Sequence, residues 1–145
     1  MIGILLHYAM ASATAATIYV EVGESVQTAM NEASPGDTIV LAEGTYEEAL
    51  STEVDGSEGS PITVTAEADA KATITARGEV LQIDHAHWVF ENINFDGQFG
   101  ESDTIDIKDG AHHTELRNVT VSRSGRDCIG PDPWLPGPNW RGFSQ

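Results

Sequence analysis

The chain has 145 residues, enough for one domain with a modest core, and its 23 acidic against 7 basic residues give a formal charge of −16. A surface this negative repels phosphate groups, so the composition argues against nucleic-acid partners and against binding to anionic membranes. The single cysteine, Cys128, excludes an intrachain disulfide, and its position beside Ile129 predicts a buried side chain.

Residues 1–16 are predicted to be a signal peptide. An apolar run from Ile2 to Met10 leads to the small residues Ala11, Ser12 and Ala13, which resemble a cleavage site, although the positively charged start of such peptides is missing. The run is shorter than the roughly 20 residues that a membrane span needs. We therefore expect export, to the periplasm or out of the cell.

A short strand over residues 18–20 and then a helix are predicted next. Ser25 is a suitable N-cap, and the turn-forming segment from Ser34 to Asp37 ends the helix. Apolar residues recur between them at helical spacing: Val26, Ala29, Met30 and Ala33.

From Asp37 onwards the apolar pattern is that of short strands in stacked repeats. Apolar residues alternate over residues 37–48 and 60–67, and residues 51–60 form a loop between them. The segment HWVFENINFD (87–96) aligns without a gap on HTELRNVTVS (113–122), an offset of 26 residues, and DTI (103–105) aligns on DCI (127–129), an offset of 24. Repeats of this length are typical of solenoids, in which each unit buries its apolar face against the next.

We therefore predict an all-β fold, a right-handed parallel β-helix (solenoid) over residues 17–130. It would have about three and a half rungs, a rung being one full turn of the solenoid, with Phe90 stacked over Leu116. The short N-terminal helix would cap the first rung, where strand edges and apolar interior would otherwise be open.

The corners between strands are predicted at two asparagines. The alternation of apolar residues changes phase at Asn92 and again at Asn118, and asparagine tolerates a left-handed backbone better than most residues. Their side-chain amides should stack and hydrogen-bond at the sheet spacing, and Glu91 should lie over Arg117.

Residues 131–145 break the repeat. Four of the six prolines lie in this irregular tail, and proline cannot donate to a β-ladder. We interpret the chain as an interrupted solenoid: a fragment, a truncated product or a frameshifted end. Trp134 and Trp140 could stack on sugars, but disorder is favoured for this tail. An uncapped last rung would promote end-to-end self-association.

The segments GESVQTAMNEASPGDTIVLAEGTY (23–46) and GSEGSPITVTAEADAKATITA (56–76) carry a resemblance to a known family. They resemble the N-terminal part of secreted β-helix proteins of the pectate-lyase-like superfamily, and among these the chondroitinase B-like, family-six polysaccharide lyases that cleave alginate and chondroitin. The similarity covers roughly residues 18–129. Because these motifs serve capping and stacking, they indicate the architecture more than the reaction.

The resemblance implies an acidic polysaccharide as partner and an elimination reaction at a uronate. In such lyases a divalent cation or a basic residue neutralises the carboxylate, and a lysine or arginine pair acts as base and acid. No residue of this chain matches those motifs, so we assign no catalytic or cofactor-binding residue. Whether the chain is an enzyme stays open, and we expect it to be inert alone.

Three groups of side chains are candidate sites. Histidines at one predicted corner could hold Zn²⁺ or Cu²⁺, or could simply face solvent as matching corner residues; they are His85, His87, His112 and His113. Carboxylates on successive rungs could bind Ca²⁺, or could be turn residues; they are Asp103 and Asp127, with Glu101 and Asp106 nearby. Arg123 and Arg126 could contact an acidic sugar, although pairing with neighbouring carboxylates is favoured.

Two functions follow from these observations. The first is the N-terminal portion of an exported polysaccharide lyase that acts on uronate-containing glycans. The second is a non-catalytic extracellular β-helix that serves in adhesion or glycan binding. Further rungs encoded downstream of Gln145, with lysine, arginine and acidic residues on one face, would favour the lyase. An early stop, or rungs without such residues, would favour the binding protein.

Overall fold

The polypeptide winds through three parallel sheets, and each rung gives one short strand to each sheet. The computed structural model describes residues 14–67 and 71–131. The elements in chain order are β1 (Thr17–Val20), α1 (Val26–Glu32), β2 (Thr38–Leu41), β3 (Gly44–Glu47), β4 (Leu50–Ser51), β5 (Ile62–Ala66), β6 (Ala72–Thr75), β7 (Leu81–Ile83), β8 (Trp88–Glu91), β9 (Ile93–Asp96), β10 (Ile105–Ile107), β11 (Glu115–Arg117), β12 (Thr120–Ser122) and β13 (Ile129–Pro131). The predicted parallel β-helix is confirmed.

The strand order shows four rungs in the described residues. One sheet runs β1-β2-β5-β8-β11, the second β3-β6-β9-β12 and the third β4-β7-β10-β13. Strands β2, β3 and β4 make the first rung, and each later rung repeats this set of three. The structure therefore has half a rung more than the repeats alone indicated, because β12 and β13 complete the last rung, which was predicted to be incomplete.

The register of the sheets follows the two sequence offsets. Phe90 pairs with Leu116 in the first sheet, which is the offset of 26 residues. Ile105 pairs with Ile129 in the third sheet, which is the offset of 24. Like residues therefore lie on like residues from rung to rung, as the alignment predicted.

The core is a column of apolar side chains enclosed by the three sheets. Trp88, Phe90 and Phe95 are fully buried within it. The rings of Trp88 and Phe90 stack with centroids 5.7 Å apart, and Phe95 meets Phe90 edge-on at 6.4 Å. The indole Nε1 of Trp88 donates to the carbonyl oxygen of Val54 at 2.8 Å, so this polar atom is satisfied inside the core.

Helix α1 closes the first rung, as predicted. Ser25 is its N-cap, and the hydroxyl accepts the N–H three residues further on. The carboxylate of Glu48, on the first rung, accepts the N–H of Val26 at 2.6 Å and the hydroxyl of Ser25 at 3.0 Å. The helix buries Val26, Ala29 and Met30 against the core.

A side chain of α1 also completes the edge of the third sheet. The Nε2 of Gln27 donates to the carbonyl oxygen of Ser51 at 2.9 Å, and the Oε1 of Gln27 accepts the N–H of Ser51 at 2.8 Å. The primary amide thus occupies the place of a neighbouring strand on β4. An unpaired strand edge is a template for aggregation, so this pairing protects the capped end.

The two asparagine corners are built as predicted. Asn92 and Asn118 have φ values of 58° and 48°, and the Nδ2 of Asn118 donates to the Oδ1 of Asn92 at 2.8 Å. Arg117 lies over Glu91, with 3.9 Å between Nη1 and Oε2, but its closer partner is Glu115 on its own strand at 2.5 Å.

The prediction that Cys128 is buried was wrong, since its side chain is exposed. It directly precedes β13, in which Ile129 packs against the core. Neighbours along a strand point to opposite faces, so an inward Ile129 turns Cys128 outward.

Two predictions concern residues outside the ranges that the structure describes. Most of the predicted signal peptide lies there, as do residues 132–145 of the irregular tail with Trp134 and Trp140. Within residues 14–67 and 71–131, no helical segment combines the length and the apolar character needed to cross a bilayer.

Candidate functional site

Three of the four candidate histidines meet at one corner of the solenoid. His87, which directly precedes β8, lies under His113 of the next rung, with ring centroids 4.9 Å apart and 11° between the ring planes. The Nδ1 atoms of His112 and His113 are 2.9 Å apart. One potential ligand atom from each of the three residues lies within 4.8 Å of the other two. We refer to these three residues as the histidine corner.

His85 does not join the histidine corner. Its Nδ1 lies 3.2 Å from the hydroxyl of Thr52. That hydroxyl already accepts the N–H groups of Asp84 at 2.9 Å and His85 at 3.1 Å, so its own proton is available to the ring. His85 therefore has a structural role between two rungs, and the predicted cluster of four is a cluster of three.

Of the candidate calcium residues, Asp103 is bonded to the protein itself. The Oδ1 of Asp103 accepts the N–H of Asp127 at 3.0 Å, and a Cβ added at Gly130 would lie 1.9 Å from its Oδ2. Both oxygens of Asp103 are thus directed at the following rung. The side chain of Asp103 therefore bonds to the segment that leads into β13 and packs against Gly130 of that strand.

Glu79 and Asp106 form a carboxylate pair joined by a hydrogen bond. Asp106 accepts a charged hydrogen bond from Lys108 at 2.6 Å. Burial raises the pKa of Glu79, and the charge of Asp106 and a hydrogen bond to it raise that pKa further. In the part of the chain that the structure describes, no set of three or more carboxylates is gathered as the three histidines are, so the carboxylates Asp103, Glu101, Asp106 and Asp127 do not form one ligand set.

Arg123 is held by a buried carboxylate. Its Nε donates to the Oδ1 of Asp96 at 2.7 Å, and its Nη2 donates to the other oxygen of the same group. The hydrogen bonds from Arg123 lower the pKa of Asp96; desolvation opposes this, and the N–H of Gln98 assists it. Arg126 lies farther from its partner, with 4.0 Å to Asp103. Pairing with carboxylates, the favoured alternative for these arginines, is confirmed for Arg123.

An exposed aromatic residue beside this pair was missed by the sequence reasoning. Phe99 is 70% exposed, and its N–H donates to the carbonyl oxygen of Arg123 at 2.6 Å. Gln98 and Phe99 have φ values of 49° and 54°, which turn the loop outward. Two consecutive left-handed residues in a glycine-bounded loop have no periodic signal, so only the three-dimensional structure reveals that this aromatic side chain is exposed.

A groove of about 420 Å³ lies at the capped end, between the segment that precedes α1 (22–25) and β3. Its lining includes the carboxylates of Glu24, Glu47 and Glu48. Glu48 caps α1, as described above. A groove with this charge repels anionic sugars, so it is a poor site for a uronate.

Comparisons with known proteins agree with this architecture. The family model described as Chondroitinase B matches residues 20–122, more than half of the chain. The solved structure of an alginate lyase from Paenibacillus sp. str. FPU-7 is similar with a TM-score of 0.58 and 23% identity, over 73% of this chain and 44% of that one. A mannuronic acid specific polysaccharide family 6 lyase from human gut microbiota is similar with a TM-score of 0.56 and 23% identity, over 70% of this chain and 25% of that one.

The extent of these matches limits what they show. No curated protein sequence matches the chain significantly. The chain spans less than half the length of each of these two lyases. At 23% identity the two structures establish the fold, whereas the family model establishes the relationship.

Proposed function

Because the chain belongs to the Chondroitinase B family, we propose that it forms the N-terminal, helix-capped portion of a β-helix polysaccharide lyase that acts on uronate-containing glycans. The match over residues 20–122 is the observation that carries this proposal. The N-terminal position is supported by the cap itself, since α1 and Gln27 close the first rung. Export of the protein is part of the same proposal.

We also propose that this chain does not cleave the glycan alone. Elimination at a uronate requires a group that removes the proton next to the carboxylate, and a positive charge that stabilises the resulting anion. The cations on the last two rungs are paired with carboxylates: Lys108 with Asp106, Arg117 with Glu115, Arg123 with Asp96 and, at 4.0 Å, Arg126 with Asp103. A cation held in this way is neither a free base nor an uncompensated charge.

The test is an elimination assay on the purified chain with alginate, chondroitin sulfate and a neutral glucan. Elimination leaves an unsaturated uronate that absorbs in the ultraviolet, whereas hydrolysis releases reducing ends without that absorbance. We expect neither product. Ultraviolet-absorbing product from a uronate polymer would overturn the proposed inactivity and uphold the lyase chemistry.

Non-catalytic glycan binding is the second candidate, and one observation favours it. Phe99 is 70% exposed, its N–H donates to the carbonyl oxygen of Arg123, and the side chain of Arg123 is 51% exposed. An exposed aromatic ring suits a sugar partner, because its face packs on the apolar face of a sugar ring.

Affinity electrophoresis in gels that contain alginate would test this binding. We expect retardation of the wild-type chain, and release by Phe99→Ala. Tyr19→Ala is the matched control, since Tyr19 is 65% exposed at the other end of the solenoid. Equal retardation by a neutral glucan would count against uronate polymers as the partner.

A further inference from the structure

The histidine corner has no part in the function proposed above, yet its side chains converge. His87 comes from the third rung, and His112 and His113 come from the fourth. His87 meets His113 face to face and His112 edge-on, with ring centroids 5.6 Å apart in the second pair. His112 and His113 are exposed, so solvent reaches the space between the rings.

The backbone at the histidine corner is held from both sides. The N–H of His87 donates to the carbonyl oxygen of His112 at 3.1 Å, and the carbonyl oxygen of His87 accepts the N–H of Ile62 at 3.0 Å. On the rung below stands Gly56, where an added Cβ would lie 2.2 Å from the carbonyl oxygen of His87. The Cα positions of the histidines are therefore set by the solenoid, and only side-chain torsions are free to adjust.

The spacing of the nitrogen atoms suits a small divalent ion. Zinc binds imidazole nitrogen at about 2.0–2.1 Å, so two ligands of a tetrahedral site stand about 3.4 Å apart. The Nδ1 atoms of His112 and His113 are 2.9 Å apart, so they need to separate by only about 0.5 Å. The widest separation, within 4.8 Å, closes by about 1.4 Å through rotation of exposed rings.

The partners of the rings point to the same conclusion. Within the described residues, the side-chain hydrogen bond of His112 goes to His113, and no carboxylate is bonded to any ring of the histidine corner. In a chain with 23 acidic residues, imidazoles that served only as surface cations would be expected to pair with carboxylates. The three imidazoles instead place one nitrogen atom each within 4.8 Å of the other two, which is the arrangement of a nitrogen ligand set.

We propose that His87, His112 and His113 bind one Zn²⁺ ion, with solvent completing the coordination. The ion links the third rung to the fourth at their shared corner. Nitrogen ligands favour zinc over Ca²⁺, which takes oxygen ligands, so the site discriminates between these two ions. Because a bound ion stabilises only the folded chain, zinc raises the melting temperature.

The experiment uses the full chain, produced without a histidine tag and stripped of metal. Isothermal titration with ZnCl₂ is expected to show one site per chain. At a hundredfold excess over the dissociation constant, zinc should raise the melting temperature by about 8 °C, and CaCl₂ should leave it unchanged. Co²⁺ in place of zinc should give the visible absorption of a nitrogen-ligated ion.

Two variants test the ligands separately. His113→Asn removes an imidazole but retains a residue that tolerates the left-handed backbone, whose φ is 55° here. His112→Gln changes an exposed side chain at a position with ordinary backbone torsions, so it preserves folding if the first variant does not. Each should weaken zinc binding at least tenfold.

His85→Gln is the matched control, because His85 lies near the histidine corner but is bonded to Thr52. It should bind zinc as the wild type does. The proposal is overturned if the wild type does not bind zinc. It is also overturned if His112→Gln binds as tightly as the wild type, or if several weak sites persist in every variant, since these outcomes assign the zinc to surface carboxylates.

Discussion

The core column makes a quantitative prediction for Phe90→Ala. Phe90 is fully buried, stacks on Trp88 and pairs in register with Val64 and Leu116 on the adjoining rungs. Replacing a buried phenylalanine by alanine removes apolar contacts and leaves a cavity, at a cost of about 3–5 kcal/mol. Because a domain has about 5–15 kcal/mol of stability in total, this single change should remove roughly a third of it or more.

Urea unfolding followed by far-ultraviolet circular dichroism measures this loss. With a slope of about 2 kcal/mol per molar urea, the midpoint should fall by roughly 2 M. Phe99→Ala is the control, because Phe99 is 70% exposed and alanine keeps the same left-handed backbone with the same Cβ; its cost should stay below about 0.5 kcal/mol. A loss under about 1 kcal/mol for Phe90→Ala, or equal losses for both variants, would refute the stacked core.

Three further changes address the cap, a perturbed carboxyl group and a corner. Gln27→Glu replaces the donor that faces the carbonyl oxygen of Ser51 with an oxygen, so thermal melting should show a loss of about 1–3 kcal/mol, and unchanged stability would contradict the pairing with β4. Burial raises the pKa of Glu79 in the folded chain, and the charge and hydrogen bond of Asp106 raise it further. The folded chain therefore loses stability as the pH rises from the ordinary carboxyl pKa to the raised pKa of Glu79, because ionised Glu79 is less favourable in the folded state than in the unfolded state. Glu79→Gln should therefore be more stable than the wild type at pH 7 and equal to it below about pH 4, where the carboxyl is neutral in both states; a gap that does not depend on pH would contradict this sign. Asn118→Ala places a side chain that disfavours positive φ at a φ of 48° and should cost about 1–2 kcal/mol, whereas Asn118→Gly should recover most of that loss.

The architecture was predictable because each feature of it recurs. Phe90 alone would not indicate a buried position in a stacked strand. Because apolar Val64 and Leu116 occupy the matching positions of the adjoining rungs, the three residues together define the register of the sheet. The asparagine corners were predictable for the same reason, since a left-handed turn between two strands restricts the residue type on every rung. Physical constraints that repeat along a solenoid leave a repeating sequence signal.

Several features that occur only once were not predicted. Strand β4 has two residues, too few to show a period of two, and its second residue, Ser51, was placed in the predicted loop. The amide of Gln27 replaces a strand only because α1 stands over Ser51, a relationship across 24 residues that no local pattern contains. The exposure of Phe99 depends on a loop whose path is set by Arg123 on the next rung.

The histidine corner is partly a repeated feature and partly a unique one, and comparison with the asparagine corner separates the two parts. Asn92 and Asn118 meet the need for a left-handed backbone, and His87 and His113 have the same torsions, so two of the three histidines satisfy the same steric requirement. His112 has no positive φ and is exposed, so neither backbone geometry nor core packing requires an imidazole there. Its Nδ1 nevertheless lies 2.9 Å from that of His113. The third imidazole is therefore the residue that distinguishes a ligand set from a repeated corner, and His112→Gln is the variant that separates the two explanations.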